Sequence, residues 1–218
     1  MSVNHHVSAE LAAAGGRATI SPLDSTSHSR PSAGSTWLVT LTRALPASPD
    51  DVWSWLVQPK RLAAWSPIVP DEPFTHVGER RSKEKPSDEE EIIADVLGVE
   101  ENHLVKHRWG DSTLTWKVVG LSARETGGTP VTQLTLEQEA PSRDDALDAA
   151  AGWDVALAVL ATMIRLGADP VHPHRNTEGT PRSQRDEGEK LRRIVGEDAL
   201  AYGWQDLRDG YAERNPEG

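Results

Sequence analysis

The feature that most constrains the fold is a change of period near residue 144. Upstream, apolar residues alternate along short runs. From residue 144 to 166 they recur every three or four positions, at Leu147, Ala150, Trp153, Leu157, Leu160 and Ile164. That spacing lines one face of an α-helix of about 22 residues, roughly 33 Å long. Ser142 is placed to cap its start, Asp144 and Asp145 occupy the favourable first turn, and Gly167 suits its end. The segment is apolar enough to raise the question of a membrane span. Asp148 and Asp154 interrupt it, however, and an Asp at a bilayer centre costs about 2.5–3.5 kcal/mol. The expected state is a helix buried in protein.

The alternating runs ahead of it define its partner. Residues 37–45 read as a strand, and Pro46, Ser48 and Pro49 end it. A short helix follows in which Val52, Trp53 and Leu56 share a face, Pro59 closes it, and residues 60–65 form a second short turn before Pro67. Further strands are expected near residues 76–81, over 92–99, over 103–109, over 113–119 and over 131–139. Gly110-Asp111 between two alternating runs is a strong hairpin signal. A twisted sheet of that size must bury its apolar face, and the long helix alone can cover it. The expected class is α+β with a helix-grip layout: a curved antiparallel sheet wrapped around a long C-terminal helix, with two short helices after strand 1. Gly152 is expected where the helix crosses the strands, with Trp153 reaching into the interior.

Length and composition bound the rest. The chain has 218 residues, no cysteine and a formal net charge of −11. Disulfides and thiolate chemistry are excluded, and a chain of this charge repels phosphate backbones, so neither nucleic acid nor membrane is an expected partner. The first sixteen residues lack a basic segment leading into an apolar run, and a cytoplasmic location is expected. Three parts follow: a flexible N-terminal extension over 1–35, in which residues 7–20 have the pattern of a weak hairpin; the sheet-and-helix domain over 36–167; and a polar linker with short C-terminal helices over 168–218. In the last part Leu200, Trp204, Leu207 and Tyr211 make an apolar stripe that calls for a docking surface.

Four groups of residues resemble a known superfamily. Arg43-Ala44-Leu45 through Val52-Trp53, with Leu56, Pro59, Leu62 and Trp65-Ser66-Pro67, is similar to the opening of SRPBCC (START-like) domains. Trp109-Gly110-Asp111 with Leu114 and Trp116, Ala151-Gly152-Trp153 with Leu157 and Leu160, and the tail residues Trp204, Leu207 and Tyr211 continue the likeness. It covers about residues 37–166 and is nearest to the branch of activators of the heat-shock chaperone ATPase. The insertion between Ile20 and Thr36 and the acidic run Asp88 to Glu91 depart from the pattern. The resemblance implies the helix-grip fold and a site between sheet and long helix. It leaves function open, because the superfamily holds lipid carriers, hormone receptors, cyclases and co-chaperone domains.

The alternation indicates which side chains face that site. Val105, His107 and Trp109 share one strand face, Leu114, Trp116 and Val118 the next, and Leu134, Leu136 and Gln138 the last. Trp153, Leu157 and Leu160 oppose them, and Trp65 is placed at the mouth. The candidate pocket is therefore Trp65, Val105, His107, Trp109, Leu114, Trp116, Leu136, Gln138, Trp153 and Leu157. These side chains either line a cavity or fill the core, and a one-residue slip in register would turn His107 outward. His107 is the one candidate base. No P-loop, dinucleotide-binding glycine pattern or nucleophile elbow occurs. The pairs His5-His6 and His172-Pro173-His174 lack a carboxylate at ligand spacing, so no metal and no cofactor is expected. The reading is a module that binds a small apolar or aromatic molecule. The alternatives are a co-chaperone-like protein-interaction domain, using the acidic loop and the tail stripe, and a cyclase-like or aromatase-like enzyme using His107.

Overall fold

Residues 37–45 form a nine-residue strand, β2 (Trp37–Leu45), because alternating apolar side chains can all enter one core from one face of a strand. In a computed structural model, residues 3–14, 18–23, 36–84, 91–171 and 203–215 are described. The elements run α1 (Val3–Ala14), β1 (Thr19–Pro22), β2, α2 (Pro49–Val57), α3 (Pro59–Trp65), β3 (Ile68–Pro70), β4 (Arg81–Glu84), β5 (Glu91–Ile93), β6 (Val96–Glu100), β7 (Leu104–Trp109), β8 (Ser112–Gly120), α4 (Ala123–Thr126), β9 (Thr132–Ala140), α5 (Arg143–Leu166) and α6 (Trp204–Arg214).

The main sheet has six antiparallel strands in the order β1-β2-β9-β8-β7-β6. Its register puts inward residues in rows. His107 pairs with Leu114, and Gln138 lies opposite both Leu114 and Val39. One row further in, Val105 pairs with Trp116, and Leu136 faces Trp116 and Leu41. The tight turn at Gly110, in the left-handed region at φ 56, sets this register by fixing where β8 begins. A smaller sheet, β3-β4-β5, flanks the α3 side.

α5 lies against this sheet, and its ends form as expected. Ser142 Oγ accepts from the Asp145 amide at 3.1 Å, and Gly167 takes the left-handed conformation, φ 63, that lets its own N–H and that of Ala168 close the last turn. The helix is apolar nearly all round because it is covered nearly all round. The sheet packs on one side, and α1 and α6 pack on others. This burial accounts for a composition that would otherwise satisfy a membrane span.

A buried polar network ties the outer helices to this core. Asp154 of α5 accepts from Arg43 Nη2 of β2 at 3.0 Å and from the Tyr211 hydroxyl of α6. The Tyr211 oxygen in turn accepts from the Ala18 amide at 3.3 Å. Glu10 of α1 pairs with Arg165 at 2.6 Å and lies 3.8 Å from Arg43. Burial, and then the Asp154 carboxylate, raise the Tyr211 phenol well above its ordinary value.

Several expectations change. The pattern over residues 7–20 is not a hairpin: α1 is a helix, favoured by its Ala, Leu and Glu content, and β1 pairs with β2 as an edge strand. These parts of the expected flexible extension therefore belong to the packed domain. The strand expected at 76–81 begins at Arg81, and the preceding residues make a single bridge, Gly78 to Val96. The continuous strand expected over 92–99 is split at Ala94-Asp95, where the Asp95 side chain accepts from the Arg80 amide at 3.0 Å and turns the chain between sheets. The helix expected over 190–195, the segment from 24 to 35 and most of the acidic run lie outside the described residues.

Candidate functional site

The space between sheet and long helix is filled by indoles. Trp153 reaches down from α5, with its ring centre 5.2 Å from Trp116, 5.6 Å from Trp109 and 6.4 Å from Trp65. Trp65 meets Trp116 edge-on at 5.8 Å. These separations are those of packed aromatic pairs, each worth about 0.5–1.5 kcal/mol beyond the area it buries. Trp65 donates to the Trp55 carbonyl at 3.2 Å. It is fully buried, not at the mouth as expected, because α3 turns it under the helix.

His107 faces inward, so the register does not slip. Its Nδ1–H donates to the Arg108 carbonyl at 2.9 Å, and its Nε2 accepts from Trp116 Nε1–H at 3.1 Å. Phe74 stacks on the ring at 4.4 Å. Burial pushes the imidazole down to about 4, against the opposing effect of the Arg108 carbonyl. Both nitrogens are thus engaged and the ring is neutral at physiological pH. The sequence offered no sign of Phe74, which reaches His107 from the loop after β3.

Val105, Leu114, Leu136 and Leu157 are buried in the same packed core. Trp109, Gln138 and Trp153 are placed differently. They line a cleft of about 430 Å³ at the end of the sheet where the β7–β8 hairpin meets the start of α5. Pro67, Ser112, Pro141, Asp145, Asp148, Ala149, Gly152 and Trp204 complete its walls. The ten candidate residues therefore divide: Trp109, Gln138 and Trp153 reach the cleft, and the others belong to the interior beneath it.

Gly152 and Trp204 are the residues whose part the sequence concealed. Gly152 does not face the strands. It turns outward, and a Cβ built there would lie 3.8 Å from Trp204 Nε1, an ordinary contact. Packing therefore does not demand glycine at this point, although glycine inside a helix costs about 1 kcal/mol relative to alanine. Trp204 stands over it because α6 docks on α5: Arg208 binds Asp148 at 2.5 Å and Asp144 at 3.4 Å, and Arg143 donates to the Ala212 and Asn215 carbonyls. The apolar tail stripe, legible in the sequence, is what carries the third indole to the cleft.

A curved antiparallel sheet closed by one long helix, with two short helices after β2, defines a START-like helix-grip protein of the SRPBCC superfamily. The family model described as Activator of Hsp90 ATPase homolog 1-like protein matches residues 46–165, and the chain belongs to that family. No curated protein matches the sequence. Among solved structures it is similar to the conserved protein of unknown function EF2215 from Enterococcus faecalis, with 13% identity, a TM-score of 0.60 and 94% of each chain covered. CalU16 from Micromonospora echinospora gives 17% identity and a TM-score of 0.55, over 90% of this chain and 95% of that one. DynU16, from the dynemicin biosynthetic locus, gives 23% identity and a TM-score of 0.51, over 63% of this chain and 49% of that one. At these identities the likeness is one of fold.

Proposed function

We infer that the protein binds a small apolar, ring-bearing molecule in the cleft between the β7–β8 hairpin, α5 and α6. The observation that carries this reading is an opening of about 430 Å³ lined by Trp109, Trp153 and Trp204, with glycine at 152 where any side chain would narrow it. Indoles around a concave opening, Trp109 and Trp204 half-buried and Trp153 buried behind them, are suited to flat apolar ligands, which gain contact area at little entropic cost to the protein. The site differs from the one expected from sequence in being at the end of the sheet, above the indole cluster instead of within it.

The other two readings find less support. An enzyme using His107 as base would need a free nitrogen lone pair, and Trp116 occupies it. A co-chaperone-like role would lose the tail stripe as a contact surface, since Tyr211 is buried and Leu207 packs against the core.

Titration with 2-acetylnaphthalene, followed by quenching of tryptophan fluorescence, tests the reading. Saturable quenching is expected for the wild type. It is expected to be lost in Gly152→Leu, which fills the cleft, and weakened about tenfold or more in Trp204→Ala, which removes one wall. Equal affinity in all three proteins would refute the cleft as the site.

A further inference from the structure

We propose that the cleft selects a cationic aromatic molecule that also carries a carbonyl or ether oxygen, and rejects the corresponding anion. This rests on the small-molecule reading above and specifies its chemistry. The first observation is Gln138. It is 5% exposed and lines the cleft, and its Oε1 accepts from Trp153 Nε1–H at 2.6 Å. That indole donor fixes the amide orientation, since a flipped amide would oppose two donors. The Gln138 Nε2 group is left with no partner among the described residues. That amide nitrogen keeps contact with solvent, and an acceptor on a ligand would take the place of water there.

The second observation is charge. The ionisable groups lining the cleft are Asp145 and Asp148, with no Lys or Arg among them. Asp148 is paired with Arg208 at 2.5 Å. Asp145 has only the neutral Ser142 hydroxyl, at 2.5 Å, and no cation among the described residues. The nearest basic neighbour in sequence, Arg143, donates to carbonyls of α6. The rim therefore keeps a net negative charge beside indole faces, and both features attract ammonium groups. Floor and rim together define a ligand with an oxygen acceptor at one end, a flat ring between, and a positive charge at the other.

Three probes on one ring separate this from the cleft reading: 2-acetylnaphthalene, its 6-aminomethyl derivative and its 6-carboxy derivative, titrated against the full chain by tryptophan quenching. The expected order is ammonium tightest, neutral ketone next, carboxylate weakest. Asp145→Asn is expected to weaken the ammonium probe about fivefold more than it changes the neutral ketone. Added salt should weaken the ammonium probe, strengthen the carboxylate probe and leave the neutral ketone unchanged. Equal binding of the three, or the reverse order, overturns the charge selection while the neutral ketone still reports on the cleft. Replacing the acetyl group by ethyl should weaken binding if Gln138 Nε2 meets the oxygen, and no change overturns that contact. If none of the probes binds, both readings fail.

Discussion

At the scale of single residues, the most distinctive group is His107. Its alternation with Val105 and Trp109 places it on the inward face, as the structure confirms. Its chemistry could not be read the same way, because Phe74 and the Trp116 hydrogen bond arise from tertiary packing. Folding lowers the imidazole from 6.5 to about 4, so between those values the unfolded chain binds more protons than the folded one. Its contribution to stability is complete above pH 6.5 and declines as the pH falls through that window, by on the order of 3 kcal/mol. Chemical denaturation at a series of pH values should show this decline in the wild type. In His107→Gln the slope between pH 6.5 and 4 should be smaller by about one proton. An unchanged slope would mean that His107 is not held neutral. Gly152 is the opposite case: it is conspicuous in the sequence, but the side of the helix it faces is not. The three residues before it are alanines, so periodicity alone does not separate the sheet side from the α6 side.

Among the elements, β2, the β7–β8 hairpin, β9 and α5 were legible because pattern, turn chemistry and capping agree in each. β1 and β3 were not. Each has four residues or fewer and a proline, and each exists only because a neighbouring strand offers it a ladder. α1 and α6 depend on tertiary partners in the same way, and Asp154 is the hinge of that dependence. Removing its carboxylate leaves Arg43 buried with only long contacts to Glu10, 3.4 Å to the carbonyl and 3.8 Å to the carboxylate. Asp154→Ala should therefore destabilise the protein by about 3 kcal/mol or more, measured by urea unfolding. Tyr211→Phe, which removes the hydroxyl's two hydrogen bonds, to Asp154 and from the Ala18 amide, and leaves the charge pair, should cost only about 2 kcal/mol. Equal losses would show that the ion pair is not the stronger element of the network.

For the molecule as a whole, the sequence fixes the fold more firmly than the site. Fold depends on many agreeing signals spread along the chain, whereas the cleft depends on where five separate segments meet: the loop after α3, the β7–β8 turn, the end of β9, the first turns of α5, and α6. The last of these is brought to the site across more than thirty residues of chain, a closure that no local pattern encodes. The interior expected to hold a ligand is instead packed with indoles, and this packing supports the open cleft above it. The chain has eight tryptophans, and their indole N–H resonances report on the two regions separately. Titration of isotopically labelled protein with 2-acetylnaphthalene, followed by two-dimensional nitrogen–proton spectroscopy, is the most direct test of the account. It should shift the signals of Trp109 and Trp204 and leave those of Trp65 and Trp116 in place. Shifts confined to Trp65 and Trp116 would put the ligand in the interior and contradict the cleft.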